Sequence, residues 1–185
     1  MRAGVVATGA MQEDGLADCA DGFWGGWTVE RRLEIMKDSQ IGTYGVLALL
    51  LIVGLRWALL TQLISMGALA GAVVAAAVTS RAVMVWVMHT LPAARAGGLS
   101  RQTGRPPGAA VVVDLALAAA VRALSAGQAG FLVAALGGLA GLGVMQLARA
   151  KIGGQTVDVL GGTQQIIDVL VLLGFPIAFT LLAMG

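Results

Sequence analysis

The sequence predicts an all-α, polytopic integral membrane bundle, with about five membrane helices and an N-terminal helix that carries an acidic motif. Three observations predict it. Of the 185 residues, 58% are hydrophobic and only 12% are charged, where a soluble domain has about one quarter charged. The apolar residues gather in runs near the ~17–25 residues that a bilayer crossing needs. The basic residues gather between those runs. Hydrocarbon offers the backbone no hydrogen-bond partners, so spans of this kind are helices. Residues 1–185 read as a single membrane-embedded domain.

The first element is the motif-bearing segment "EDGLADCADG", where Glu13, Asp14, Asp18 and Asp21 crowd ten residues of a charge-poor chain. The charged segment "RRLEIMKDSQIGTYG" follows and reads as an interfacial stretch ending in glycines. Val46 to Ile64 is the first apolar run, and Met66 to Leu91 the second, with Ser80 and Arg81 inside it. Ala109 to Leu124 is weaker, because it carries Asp114 and Arg122, and is expected as a protein-buried helix. Phe131 to Ala148 is free of charge. Ile166 to Met184 has Asp168 near its start and Pro176 as an expected kink. Gly67 with Gly71, and Gly137 with Gly141, are four residues apart, a spacing that lets membrane helices approach closely.

The connections set the orientation. Arg31, Arg32 and Lys37 precede the first run; Arg95, Arg101 and Arg105 follow the second; Arg149 and Lys151 precede the last. If each of the five runs crosses once, these loops share one side, which the positive-inside rule makes cytoplasmic. The acidic segment and Asp158 then lie on that side too. A net charge of +2, spread in this way, is no nucleic-acid signal. The lone Cys19 and lone His89 exclude a cysteine or histidine metal cluster; a buried thiol and a satisfied surface imidazole are expected instead.

On a helix, Asp14, Asp18 and Asp21 fall within roughly 60° of one another. Grouped carboxylates repel unless a cation sits among them. Oxygen ligands alone suit a hard ion, Mg²⁺ before Mn²⁺ or Ca²⁺. The competing reading is a solvated acidic helix end; at the edge of a bilayer, in so uncharged a chain, the metal is preferred. In "KIGGQTVDVLGGTQQ", Thr156 is an expected N-cap, and Asp158 in the following first turn could complete the metal site. An ordinary capped helix start accounts for that segment taken alone. Lys37, Asp38 and Ser39 precede glycines and suit a polyphosphate. Arg56 and Arg81 lie inside apolar runs, where charges pair or line cavities. Asp114 and Asp168 are available partners, and Arg81 could instead face an anionic substrate.

Taken together, "TGAMQEDGLADCADGFWGG", "RRLEIMKDSQIGTYGVLALLL", "SRAVMVWVMHTLPAAR" and "ARAKIGGQTVDVLGGTQQ" resemble the cobalamin synthases, the adenosylcobinamide-GDP ribazoletransferases, in order and spacing. The resemblance runs from about Thr8 almost to the C-terminus. It implies an Mg²⁺-dependent enzyme of the bacterial cytoplasmic membrane with its site facing the cytoplasm. The implied reaction joins adenosylcobinamide-GDP to α-ribazole, or to its 5′-phosphate, and releases GMP. Set beside the residue chemistry, it assigns Asp14, Asp18 and Asp158 to the metal, with Asp21 a further ligand or the base. Lys37 and Arg81 are expected phosphate contacts; Glu13 and Asp38 are expected supporting groups or alternative bases. The acidic motif is also similar, distantly, to the Asp-Gly-x-x-Ala signature of CDP-alcohol phosphotransferases. The chain departs from the family at Gln12, where histidine is usual, and at Val157, where glycine is usual. It is also expected to be short at its N-terminus relative to the family. A cation-transporting module and an inactive fragment are the competing classes; acids clustered at one membrane face, rather than along the spans, favour the enzyme.

Overall fold

The computed structural model describes residues 9–97, 103–126 and 129–184. Seven helices appear among them: α1 Met11–Gly25, α2 Val29–Ile35, α3 Thr43–Ser65, α4 Leu69–Thr90, α5 Gly108–Ala126, α6 Gly130–Ile152 and α7 Val157–Ala183. Helices α3, α4, α6 and α7 are long and apolar enough to cross a membrane. The weaker segment forms α5, a 19-residue helix packed mainly along α4. It is not the protein-buried helix expected: Val111 and Ala118 are buried, whereas Val112, Val113, Leu117 and Leu124 are exposed, because α4 covers only one side of it. At about 1.5 Å per residue it is roughly 28 Å long, near the thickness of a hydrocarbon core.

Helix α7 is the centre of the bundle and packs against α1, α3, α4 and α6. Small residues decide how closely. A Cβ added at Gly174 would stand 3.1 Å from Val133 Cγ2 of α6. On α6, a Cβ at Gly137 would stand 2.8 Å from Thr79 Cγ2, and one at Gly141 2.7 Å from Val83 Cγ1, both on α4. The expected Gly137–Gly141 face therefore joins α6 to α4. The Gly67–Gly71 pairing does not form a comparable face. Gly67 adopts φ +68° in the α3–α4 turn, with open space around it, so the second span begins at Leu69 and not at Met66. Helix α3 lies at the periphery and turns Leu47, Leu50, Leu51 and Trp57 outward, as a lipid-facing helix does.

The last helix starts at Val157, well before the apolar run that began at Ile166. Thr156 caps it as expected, its Oγ1 accepting from Val159 N at 3.3 Å. Gly153, at φ +75°, ends α6, and the chain then makes its one isolated parallel bridge among the described residues, Ala93 with Gln155. There Ala94 N donates to Gln155 O at 2.9 Å and Gln155 N to Pro92 O at 2.8 Å. A Cβ at Gly154 would stand 2.3 Å from Pro92 O, so only glycine allows this approach. Arg32 Nη1 donates to Lys151 O at 2.9 Å and Arg95 Nη2 to Leu33 O at 3.2 Å. The three basic segments thus meet at one end of the bundle, as the charge pattern requires. His89 is satisfied there, its Nδ1 2.8 Å from Pro106 O.

Candidate active site

The site is built where α1 crosses the first turns of α7, and glycines permit the crossing. A Cβ at Gly15 would stand 2.7 Å from the backbone oxygen of Asp158 and 3.0 Å from its Cα. At Gly161 it would stand 3.2 Å from Gln12 Cα, and at Gly162 3.5 Å from Leu16 Cα. Backbone meets backbone, so a larger residue at Gly15 cannot be absorbed by a rotamer change. The contact carries Asp158, from the far end of the chain, to the face of α1 that bears Asp14 and Asp18. Cys19 is buried behind this face, and burial pushes its thiol well above the ordinary range.

Asp14 is exposed and Asp18 half-buried. Burial first, then the negative charges of Asp14 and Asp158, push the Asp18 carboxyl up to about 7, against the opposing pull of Arg95. Asp158 is held firmly. Its Oδ2 accepts from Thr156 Oγ1 at 3.1 Å and pairs with Arg95 Nη1 at 3.4 Å. Arg95 Nε is buried and makes no hydrogen bond.

These residues suit a divalent cation by chemistry. All the donors are carboxylate oxygens, and their mutual repulsion, visible at Asp18, is what a cation relieves. Their present rotamers do not form a ligand shell: among the described residues no three Asp, Glu, His or Cys side chains converge closely enough to hold a metal ion. Arg95 is the counter-charge that Asp158 has instead.

The crowding has a measurable consequence. Between about pH 4 and pH 7 the folded protein keeps a proton on Asp18 that the unfolded chain has released. The stability this contributes is complete below about pH 4 and is lost as pH rises through about 7. Without divalent cations, the thermal midpoint should therefore be lower at pH 8 than at pH 5.5. Asp18→Asn should flatten that difference. A parent protein equally stable at both values would show that Asp18 is not crowded.

The other expected site residues are placed elsewhere. Asp21 is neither a free base nor a ligand in this arrangement. It is buried, and its carboxylate accepts from Gly42 N at 2.7 Å, the N-cap amide of α3, and from Gly45 N at 2.9 Å in its first turn. The regular helical spacing that grouped it with Asp14 and Asp18 could not reveal this, because the partners come from the next long helix. Lys37 and Asp38 lie exposed in the α2–α3 loop, where Asp38 Oδ1 accepts from Gln40 N at 3.1 Å. Arg81 makes no ion pair with the cluster. It donates to Ala77 O at 3.1 Å and lines a cavity among α3, α4 and α7. Arg56 is paired as expected, and of the two available acids its partner is Asp168, 3.0 Å away; it also approaches Glu13 at 4.0 Å. Arg95 is the residue that sequence reasoning missed; only the bridge between residues 93 and 155 carries it to Asp158.

A polytopic helical membrane protein with a carboxylate cluster and a guanidinium at the end where its basic loops meet is the class this fold and site define. The model of the cobalamin-5-phosphate synthase family matches residues 1–176, and the chain belongs to that family. It is 47% identical over 169 residues to the adenosylcobinamide-GDP ribazoletransferase of Bradyrhizobium diazoefficiens, covering 91% of this chain and 65% of that protein. The enzyme of the same name from Brucella anthropi is 44% identical over 179 residues, covering 92% of this chain and 69% of its own length. The chain thus spans about two thirds of the length of these relatives. No solved structure matches it.

Proposed function

We propose that the protein joins the two halves of the cobalamin nucleotide loop. A ribose hydroxyl of α-ribazole, or of its 5′-phosphate, attacks the cobinamide-linked phosphorus of adenosylcobinamide-GDP. The new phosphate ester forms, the P–O bond to GMP breaks, and the hydroxyl proton leaves to solvent or a neighbouring base. The observation that carries this reading is the α1–α7 crossing, which gathers Asp14, Asp18 and Asp158 at one end of a membrane bundle in a member of this family.

Phosphoryl transfer depends mainly on positioning and charge stabilisation. Asp14, Asp18 and Asp158 would hold Mg²⁺, which when bound offsets the charge on the diphosphate and the departing GMP. Thr156 orients the Asp158 carboxylate. Arg95 brings a guanidinium beside it, suited to phosphate oxygens. The bundle anchors the reaction to the bilayer, and the gathering of basic loops at the site's end supports a site that faces the cytoplasm from the bacterial inner membrane. No nucleic acid takes part.

The test is ligation by the purified chain in lipid nanodiscs. With Mg²⁺, adenosylcobinamide-GDP and either form of ribazole, GMP and the cobalamin product should appear together. Chelation should lower the rate at least about tenfold, and added Mg²⁺ should restore it. Absence of product with both ribazole forms, or a rate indifferent to chelation, would count against the proposal.

A further inference from the structure

The carboxylate cluster does not account for the polar interior of the bundle. An open cavity of about 510 Å³ lies among α3, α4 and α7, with Gln12 and Glu13 of the first turn of α1 in its lining. Leu60, Ile64, Val73 and Leu172 form apolar walls; Glu13, Arg56, Gln165 and Asp168 form a polar pole. Its size is that of a small-molecule site.

The polar pole is incompletely satisfied. Arg56 pairs with Asp168 and approaches Glu13. The cavity's acids, Glu13 and Asp168, are balanced by its arginines, Arg56 and Arg81. Yet Glu13 Oε2 and Gln165 Oε1 are buried with no hydrogen-bond partner, and Gln165 is only 2% exposed. A buried acceptor left unpaired is destabilising, so a donor that reaches it is favoured. Charge balance disfavours an ionic occupant, and unpaired acceptors call for hydrogen-bond donors. Gln12 and Gln164 add amides that can both donate and accept. The chemistry that fits is a neutral, donor-bearing group on an apolar body, such as a primary carboxamide.

We propose that this cavity receives a carboxamide-bearing edge of the corrinoid substrate. The assignment rests on the ribazole-transfer reading above. It is favoured over a hydroxyl-headed lipid by adjacency to the carboxylate cluster. Glu13 lines the cavity while its neighbour Asp14 belongs to the cluster, so the first turn of α1 is shared by both. One substrate can thus place its phosphates at the cluster and its amide fringe in the cavity.

The test is equilibrium binding of cobinamide, which has the amides but no diphosphate, to the full chain in nanodiscs, followed by its visible absorption. Gln165→Met removes the unpaired acceptor and should weaken binding at least tenfold. Ala77→Leu fills the cavity from α4 without removing a polar group and should do the same. Asp158→Asn should change cobinamide binding less than twofold. Thermal midpoints within a few degrees of the parent show that each variant is folded. Equal cobinamide binding in the parent and both cavity variants would overturn the proposal. So would dioleoylglycerol binding that both variants abolish while cobinamide binding is unchanged, which would assign the cavity to a lipid. The expected binding pattern without any ligation would leave the cavity standing and remove the reaction; ligation with cobinamide binding unaltered by both cavity variants would do the reverse.

Discussion

Asp158→Asn is expected to lower the proposed ribazole transfer by about a hundredfold or more, the scale seen when a group that stabilises transition-state charge is removed. Asparagine keeps the shape of aspartate and removes its charge. The helix start should survive, because the cap is Thr156 Oγ1 accepting from Val159 N and does not use the carboxylate. What is lost is the anion that faces Asp14 and Asp18 and pairs with Arg95. One negative charge fewer should also ease the crowding at Asp18 and weaken divalent-cation binding. Single-turnover ligation, cation binding and thermal unfolding measured together separate these effects. A variant within threefold of the parent rate would remove Asp158 from the site.

Asp21→Ala should act on stability instead, costing about 3 kcal/mol or more. Two amide donors at the start of α3, one of them on the buried Gly45, would lose a charged acceptor at once, each such bond being worth about 1.5–3 kcal/mol. The carboxylate also complements the helix dipole there. The glycines that receive it make the same point from the other side. A Cβ at Gly42 would stand 2.5 Å from Asp21 Oδ1, and one at Gly45 2.4 Å from Oδ2. Gly45→Ala should therefore lower the thermal midpoint in the same direction as Asp21→Ala. Asp21→Asn keeps one acceptor oxygen and should lie between the parent and the alanine variant. It should still catalyse ligation at temperatures where it is folded. A well-folded Asp21→Asn protein with no activity would restore Asp21 to the chemistry.

Much of the bundle was legible in the amino-acid order. The apolar runs located α3, α4, α5 and α6 to within a few residues, because a bilayer demands long uninterrupted apolarity and helices supply it. The Thr156 cap and the Gly137–Gly141 contact were legible for a similar reason: each is a short pattern with a local cause. The continuity of α7 from that cap into its apolar run was not. Asp158, Thr163, Gln164 and Gln165 break its hydropathy, so the apolar reading started at Ile166, although the helix starts at Val157. Thr163, Gln164 and Gln165 are nonetheless buried, because Gly161 and Gly162 let α1 lie directly on that turn.

The sites divide in the same way. Asp14 and Asp18 share a face because of the helical period, and the sequence alone determined that. It also determined that basic loops gather at one end, since charge is excluded from the spans. That Asp158 joins those two acids while Asp21 leaves them was decided by tertiary structure. So were the capture of Asp158 by Arg95 and the joining of Glu13, Arg56 and Asp168 around one cavity. Each of these depends on close approach between segments far apart in the chain. Such an approach is set by which backbone surfaces are bare enough to touch, and no local periodicity records which partner a bare surface will meet.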